Sequence, residues 1–457
     1  MIKTKITLIV GLLFSASASA ANLLEIYRDA LQSDPLYQQA LAQQLSTSEG
    51  VPISLASLLP NAGMTLTPSL SRSLASGSAI AITTLPDGST TSGSNTSRGY
   101  GVSLVITQTV FDFGKLANLA GAKEVAKQAK ATLNAALQDL MMRVSKAYLA
   151  VLEDEDNLRS AESAKTAFSK QLKQTSEQYK VGLKTVTDVY TARASYENSN
   201  ADYITAENTL ANDKENLRAI TGNLYPELAM LSEKFPLISP KPADIEAWTQ
   251  TTMEQNWAIK SAEYAKVAAM DNIKQQRAGH FPTLNLQGSY NIDYSRNMGN
   301  SSLATTGSSQ IHTTAVSLGL AVPLYQGGAV MAQTDKAKYD YQIFSQKLEK
   351  QIRDSTNLAR QSYLGIMSGI SKIKADIETI KAMQSSLEGM EASYSVGIET
   401  LLTVLNQRQK VFEAQKQYAH DRYAYVNSLL ALKQAAGTLS DQDLESINSW
   451  LEMNSTA

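Results

Sequence analysis

The 457-residue sequence contains no cysteine. That excludes a disulfide framework, a thiolate metal site, and lipid attachment through a cysteine at a processed N-terminus. Histidine is nearly absent as well. His280, His312 and His420 are scattered, and no two stand at a metal-ligand spacing. The sequence shows no glycine-rich phosphate loop and no nucleophile elbow, so an enzyme is not expected and neither is a cofactor. The net charge is only −2 at pH 7, which gives no global electrostatic case for nucleic-acid binding. Beyond the first twenty residues, no segment reaches the length and apolarity of a transmembrane helix. Proline is withheld from two regions. Of 11 prolines, none falls between Pro86 and Pro226 and none follows Pro323. Long uninterrupted helices require such gaps.

The N-terminal region reads as an export signal. Lys3 and Lys5 precede a short apolar stretch, Ile6 to Phe14, and Ala18-Ser19-Ala20 supplies the small-residue cleavage pattern. Residues 1–20 are therefore expected to be removed, with Ala21 first in the mature chain. The apolar stretch is too short to span a bilayer. An exported chain without a transmembrane helix is either soluble or a membrane β-barrel.

What the sequence does contain is a repeated phrase. Tyr179-Lys180-Val181-Gly182-Leu183-Lys184-Thr185 recurs as Tyr394-Ser395-Val396-Gly397-Ile398-Glu399-Thr400, with the two glycines 215 residues apart. Each copy interrupts a long proline-free helical pattern at one glycine, which suits the left-handed residue that ends a helix before a reversal. The flanking patterns repeat too. Leu23 to Ser48 is helical, with Asp34-Pro35 resembling a helix start. Met64–Ser71 and Tyr100–Val110 alternate apolar and polar residues as strands do, and a polar loop from Ser76 to Ser97 separates them. Pro68 sits awkwardly in a fully bonded sheet.

From Lys115 to Gln178, Leu133, Leu137, Leu140, Met141, Val144, Tyr148 and Val151 recur at helical steps. About 64 residues at about 1.5 Å each span roughly 95 Å, too long for a helix inside a compact domain. A second helix runs from Thr185 to Thr221-Gly222. After the Pro226–Pro242 connector the programme restarts. A helix covers Asp244–Gln276, and strands cover Leu284–Tyr294 and Ala315–Val322 on either side of a polar loop, Met298–Ser309. Pro323-Leu324-Tyr325-Gln326-Gly327-Gly328 then leads into a long helix, the Gly397 reversal and a helix to Gly437. The chain divides into 1–20 (signal), 21–225 (first repeat), 226–243 (connector), 244–437 (second repeat) and 438–457 (C-terminal segment). The predicted class is mixed, mainly α with a membrane β-barrel. Each chain offers four strands, and an open four-stranded sheet in a membrane leaves unpaired edges. Three chains offer twelve, an even number in the outer-membrane range.

Val110-Phe111-Asp112, Val181-Gly182-Leu183 with Thr187-Asp188-Val189, Ile220-Thr221-Gly222-Asn223-Leu224-Tyr225-Pro226, Pro323 to Gly328, and Tyr394-Ser395-Val396-Gly397 together resemble the TolC family of outer-membrane efflux ducts. The likeness covers essentially the whole chain after the signal. It implies a homotrimer with a twelve-stranded β-barrel in the outer membrane and a twelve-helix α-barrel across the periplasm. It also implies an equatorial belt built from the connector and the chain ends. The implied partners are outer-membrane lipid, a periplasmic adaptor (membrane fusion) protein and an inner-membrane RND, ABC or MFS transporter. The cargo is drugs or secreted proteins, and the sequence leaves both open.

The resemblance assigns roles to particular residues. Val181, Gly182, Leu183, Val396, Gly397 and Ile398 correspond to tips that receive the adaptor; the plainer reading is that they only pack the turns. Thr187, Asp188 and Tyr394 match a polar network that closes the periplasmic end, although Asp188 also suits an ordinary helix N-terminus. The second repeat departs from the family pattern. Glu399 stands in place of an Arg, and Thr403 and Asn406 stand in place of two Asp residues at the constriction. Carboxylate rings, and the cation block they imply, are therefore in doubt. Lys184 and Glu399 occupy equivalent repeat positions with opposite charge and are expected to pair across neighbouring hairpins. Phe111, Phe113, Phe281, Pro323, Tyr325, Gly327 and Gly328 lie where barrel becomes helix, and their aromatics suit either a membrane-interface girdle or junction packing. The competing function is a trimeric adhesin with a coiled-coil stalk. That would favour sustained heptads and one terminal anchor rather than strands split between two repeats.

Overall fold

The computed structural model describes residues 20–75, 93–232, 234–299 and 307–452. Residues 1–19 of the expected signal and the centres of both polar loops lie outside the described residues. The chain folds as two compact units, and each draws on both halves of the sequence.

One unit comprises residues 45–129 and 262–347. Its sheet contains β1 (Asn61–Ala75), β2 (Gly93–Phe111), β4 (Thr283–Gly299) and β5 (Gly307–Ala321), ordered β1-β2-β4-β5 and antiparallel throughout. The strands run well past the expected spans. Gly93–Ser97, Met298, Gly299 and Gly307–Ser309 were expected in loops and are strand. The ladder is backbone to backbone, so it continues through Ser, Thr, Asn and Gly wherever no apolar core demands a pattern.

The register sorts the sheet into two faces. Met64 pairs Leu104, Leu104 pairs Tyr290, Leu66 pairs Val102 and Val102 pairs Ile292, while Gly288 pairs Val316 and Leu286 pairs Leu318. Directly opposed residues point to the same side, so these form one apolar face. Thr65, Ser103, Asn291 and Thr313 form one row of the other face, which is largely polar; there Ser103 Oγ donates to Asn291 Oδ1 at 2.5 Å. Every residue of β5 is exposed, as are Met64, Leu66 and Leu70 of β1. The outer edges of β1 and β5 have no strand partner among the described residues. Pro68 stands on β1, an edge strand, which is where proline is tolerated.

The other unit comprises residues 130–261 and 348–457 together with the chain up to Gln44. It contains α1 (Leu23–Ser33), α5 (Val186–Thr221), β3 (Met230–Leu231), α6 (Ile245–Gln255), α9 (Leu401–Ala435), α10 (Asp441–Asn448) and β6 (Leu451–Glu452). Four helices contribute to both units: α2 (Pro35–Ser48), α4 (Phe113–Lys180), α7 (Trp257–Arg277) and α8 (Ala329–Ser395). The remaining helix, α3 (Gly50–Ala56), belongs to the sheet unit. The helices α4 and α8 have 68 and 67 residues, which the proline gaps permit.

The two shorter helical stretches are each broken by a side chain that caps the next helix. Asp34 Oδ2 accepts the N–H of Tyr37 at 2.9 Å and so separates α1 from α2. Asn256 Oδ1 accepts from the N–H groups of Ala258 and Ile259 at 2.9 and 3.0 Å. The single helix expected over Asp244–Gln276 is therefore two helices, because a capping side chain competes with the helical ladder.

The main core gathers Leu23, Ile26 and Tyr27 of α1, Leu140, Val144 and Tyr148 of α4, and Tyr425, Val426 and Leu430 of α9. Three distant segments are stitched together over it. Ala21 donates to Glu227 O and accepts from Ala229 N–H, and β3 pairs with β6. Buried Arg422 donates to the carbonyls of Leu231 and Ser232, while the Tyr148 hydroxyl donates to Ala229 O at 2.6 Å.

An ion pair with a buried carboxylate also lies here. Arg143 donates from both terminal nitrogens to Asp34, at 3.1 and 2.7 Å, and Asp34 is 2% exposed. The Arg143 hydrogen bonds hold the Asp34 carboxyl below the usual range. Arg143→Ala leaves that carboxylate buried without its cation and is expected to destabilise this unit by roughly 3–5 kcal/mol, measurable as a fall in Tm. Because the Asp34 pKa is depressed, the pair's contribution is present above the ordinary value of about 3.9 and is lost as pH falls through the lowered one.

Candidate functional site

The helix-rich unit contains both copies of the repeated phrase, and they build the same reversal. At the first, Gly182 N–H donates to Tyr179 O and Leu183 N–H to Gln178 O, both at 2.9 Å. At the second, Gly397 N–H donates to Tyr394 O and Ile398 N–H to Ser393 O, at 3.1 and 3.0 Å. These paired bonds close the helix end around a residue with positive φ. Gly182 has φ 78° and Gly397 has φ 80°. An added Cβ at either would meet nothing within 4 Å, so glycine is required by backbone conformation and not by crowding.

The residues beside these glycines are the most solvent-exposed apolar groups of their hairpins. Val181, Leu183, Val396 and Ile398 are each at least 70% exposed. Within the chain they do not pack the turn; they stand off it.

The following helices start alike. Thr185 caps α5: its Oγ1 accepts from Asp188 N–H at 3.2 Å, and Asp188 Oδ2 accepts from Thr185 N–H at 3.0 Å. Thr400 caps α9 by accepting from Thr403 N–H at 3.2 Å. Asp188 and Thr403 therefore occupy the same place in the two repeats, each tied to its own cap. The Thr185 backbone hydrogen bond, then its hydroxyl and the nearby Lys184 charge, lower the Asp188 pKa. Asp188 thus makes the capping contacts of an ordinary helix N-terminus. Thr187 and Asn406 are exposed.

Tyr394 and Lys184 come together. The Lys184 ammonium sits 4.3 Å from the Tyr394 ring centroid, a cation–π distance. The Tyr394 hydroxyl is buried without a hydrogen-bond partner among the described residues. Glu399 has no ion-pair partner among the described residues. The expected Lys184–Glu399 pair is thus not formed within one chain, where the lysine contacts the aromatic ring of the other hairpin instead. Behind this contact lies a small second core of Ala164, Phe168, Ala192, Leu401 and Leu405, with Tyr394 and Phe412 packed on it. Sequence reasoning missed the capping threonines, although Thr185-x-x-Asp188 is a readable capping box. It also missed the Phe168–Phe412 contact, whose rings lie 6.3 Å apart and which no local pattern announces.

The junction residues belong to the sheet unit. Phe113 meets Phe281 edge-on with ring centroids 5.3 Å apart, which is packing at the junction. Tyr325 and Leu324 are 86% and 93% exposed, and Phe111 is 45% exposed. Gly327 and Gly328 both have positive φ, in the turn after Pro323.

The family model described as outer membrane efflux protein matches residues 26–223 and again 248–438. The chain belongs to the TolC family of outer-membrane efflux proteins. It is 33% identical to the outer membrane protein TolC of Vibrio cholerae, over 96% of each chain. It is 25% identical to the alkaline protease secretion protein AprF of Pseudomonas aeruginosa, over 95% of this chain and 88% of that one. Its fold matches the CmeC outer membrane channel of Campylobacter jejuni with a TM-score of 0.73 at 16% identity, covering 99% of this chain and 98% of that one. Members of the TolC family are outer-membrane channels and not enzymes. This TolC-family chain is accordingly an outer-membrane efflux or secretion duct, as the resemblance implied.

The caps at the hairpin tips make a direct prediction. Thr185→Ala removes one capping acceptor and is expected to loosen the first turn of α5 by about 1 kcal/mol. Amide exchange at residues 187–189 then runs roughly fivefold faster, while the residues of α1 are unaffected.

Proposed function

We propose that three copies of this chain form one gated exit duct that works with a periplasmic adaptor and an inner-membrane RND, ABC or MFS transporter. The observation that carries the reading is the four-stranded sheet with one apolar face, one largely polar face and two unpaired edges. In the assembly, β5 of each copy pairs with β1 of the next, which closes a twelve-stranded barrel. The apolar face meets lipid, and the polar face lines a water-filled lumen. The long helices continue as a twelve-helix α-barrel. Their exposed Ile204, Leu358, Leu364 and Ile377 support the reading, because such side chains call for neighbouring helices. The connector and the C-terminal segment form an equatorial belt, and residues 21–225 and 244–437 serve as the two structural repeats. Drugs or secreted proteins leave through the duct without chemical change.

The gate is at the hairpin tips. The Lys184–Tyr394 contact joins the first hairpin to the second, and Asp188 and Thr403 fix the helix starts behind it. Thr403 and Asn406 line an uncharged constriction. The tips, with Val181, Leu183, Val396 and Ile398 outermost, dock the adaptor.

Purified protein in detergent is expected to have three times the chain mass and to form small, steady channels in planar bilayers. A monomeric particle without conductance sinks the duct and returns weight to an adhesin. Lys184→Met removes the cation over Tyr394 and is expected to raise the open probability several-fold, as a contact of about 1–2 kcal/mol allows. Unchanged gating would remove Lys184 from the gate. Leu183→Asp with Ile398→Asp is expected to abolish export in cells while leaving trimer and conductance intact; undiminished export would sink the docking assignment.

A further inference from the structure

Two buried acceptors in the hairpins face other acceptors. Asp154 on α4 lies within hydrogen-bonding reach of Asp213 on α5, yet its Oδ2 is buried with no donor. Asp376 on α8 lies within reach of Asp421 on α9, and its Oδ2 is likewise buried without a donor. An ionised carboxylate only accepts, so two ionised carboxylates cannot satisfy one another. One proton between them turns the same geometry into a hydrogen bond.

The two pairs share a register. Asp154 precedes Gly182 by 28 residues and Asp213 follows it by 31, whereas Asp376 precedes Gly397 by 21 and Asp421 follows it by 24. In each hairpin the inner-helix residue lies three positions further from the tip glycine, and the two pairs differ by seven residues, two helical turns. The same cross-hairpin contact is thus made once in each repeat, at neighbouring levels.

We propose that Asp154–Asp213 and Asp376–Asp421 each hold one shared proton, and that this proton ties the two helices of a hairpin, so that the hairpins part more readily at neutral than at acid pH. The inference deepens the gated-duct reading and rests on it for its link to export.

The surroundings reinforce the first pair more than the second. Around Asp154, α5 presents Asp213 and Asp202, and α9 presents Glu413 with one cation, Lys416, across a cavity of about 370 Å³. Glu153 of its own helix faces His420 of α9 at 2.9 Å. Burial first, then Asp213 and Glu153, push Asp154 up to about 6, against a hydrogen bond from Asn157 that favours the ionised form. Asp376 is raised by burial and by Asp421, but Lys372 opposes the shift. Lys372 lies 3.5 Å from Asp421, which also accepts from Gln417. The first pair therefore releases its proton closer to neutrality.

The sign follows from linkage. A carboxyl whose pKa is raised by packing binds its proton more tightly in the packed hairpin than in the parted one. Raising pH from the ordinary value of about 3.9 toward about 6 shifts the balance toward parting by up to roughly tenfold per pH unit, and the shift is complete above both values.

Infrared difference spectroscopy of the intact protein in lipid tests the proton itself. The protonated-carboxyl C=O band is expected to disappear with a midpoint near 6, and Asp154→Asn is expected to remove that component. A midpoint near 3.9, or a band untouched by Asp154→Asn, overturns the proposal. Amide exchange along α5 around Asp213, corrected for its intrinsic pH dependence, tests the tie. Protection is expected to fall as pH rises in the wild type and to stay at its acid level in Asp154→Asn, whose amide donates at every pH. Equal pH dependence in both overturns the tie. Conductance tests the gate separately. An open probability that ignores pH, alongside intact infrared and exchange transitions, sinks the hairpins as the gate and leaves the shared proton standing.

Discussion

Backbone hydrogen bonding at the open edges of one small sheet sets the terms for this molecule. The strands β1 and β5 carry rows of N–H and C=O groups that no strand of the described chain satisfies. In hydrocarbon each such group is destabilising by several kcal/mol, so a chain that places this sheet in a membrane must find further strands. Four strands cannot close alone with side chains filling the interior, since about eight are needed for even a small barrel. In the proposed barrel, the two-faced register decides which side meets lipid. The ladder's indifference to side-chain type also explains why Ser- and Gly-rich stretches extend the strands.

A second constraint operates in the helices. The residues nearest the hairpin tips rest on a small core, while α2 buries no residue fully and α5 buries only Ala192, Ser199, Leu217 and Thr221. By contrast, the region around Tyr148, Tyr423 and Tyr425 is densely packed and tied by hydroxyl-to-carbonyl bonds. Local stability follows buried contact. Movement is therefore easiest at the tips, where single contacts such as Lys184 on Tyr394 have few competitors.

Much of this was legible in the sequence. Proline gaps left room for both long helices, and the two glycine phrases marked where each one ends and reverses. Strand existence followed from alternation, but strand ends did not, because polar ladder residues such as Gly93–Ser97 carry no periodic signal. The helix breaks at Asp34 and Asn256 look alike in the structure, yet only the first has a proline beside it to announce the break. Of the site residues, Asp188 was matched to a polar network at a helix start and Thr403 to a constriction position, both through the resemblance. Their bonds to Thr185 and Thr400 are local and readable. The Lys184–Tyr394 and Phe168–Phe412 contacts join separate helices, and a one-dimensional pattern does not encode them.

The small ladder beside the main core carries a consequence for assembly. Ala21 bonds to Glu227 and Ala229, and Met230-Leu231 pairs with Leu451-Glu452, so one connector strand receives segments separated from it by more than two hundred residues on either side. Contacts of such sequence separation form late, because loop closure must precede them. The hairpins can zip locally as the chain emerges. The connector cannot be completed until the final strand arrives, which makes that ladder a checkpoint for a fully delivered chain.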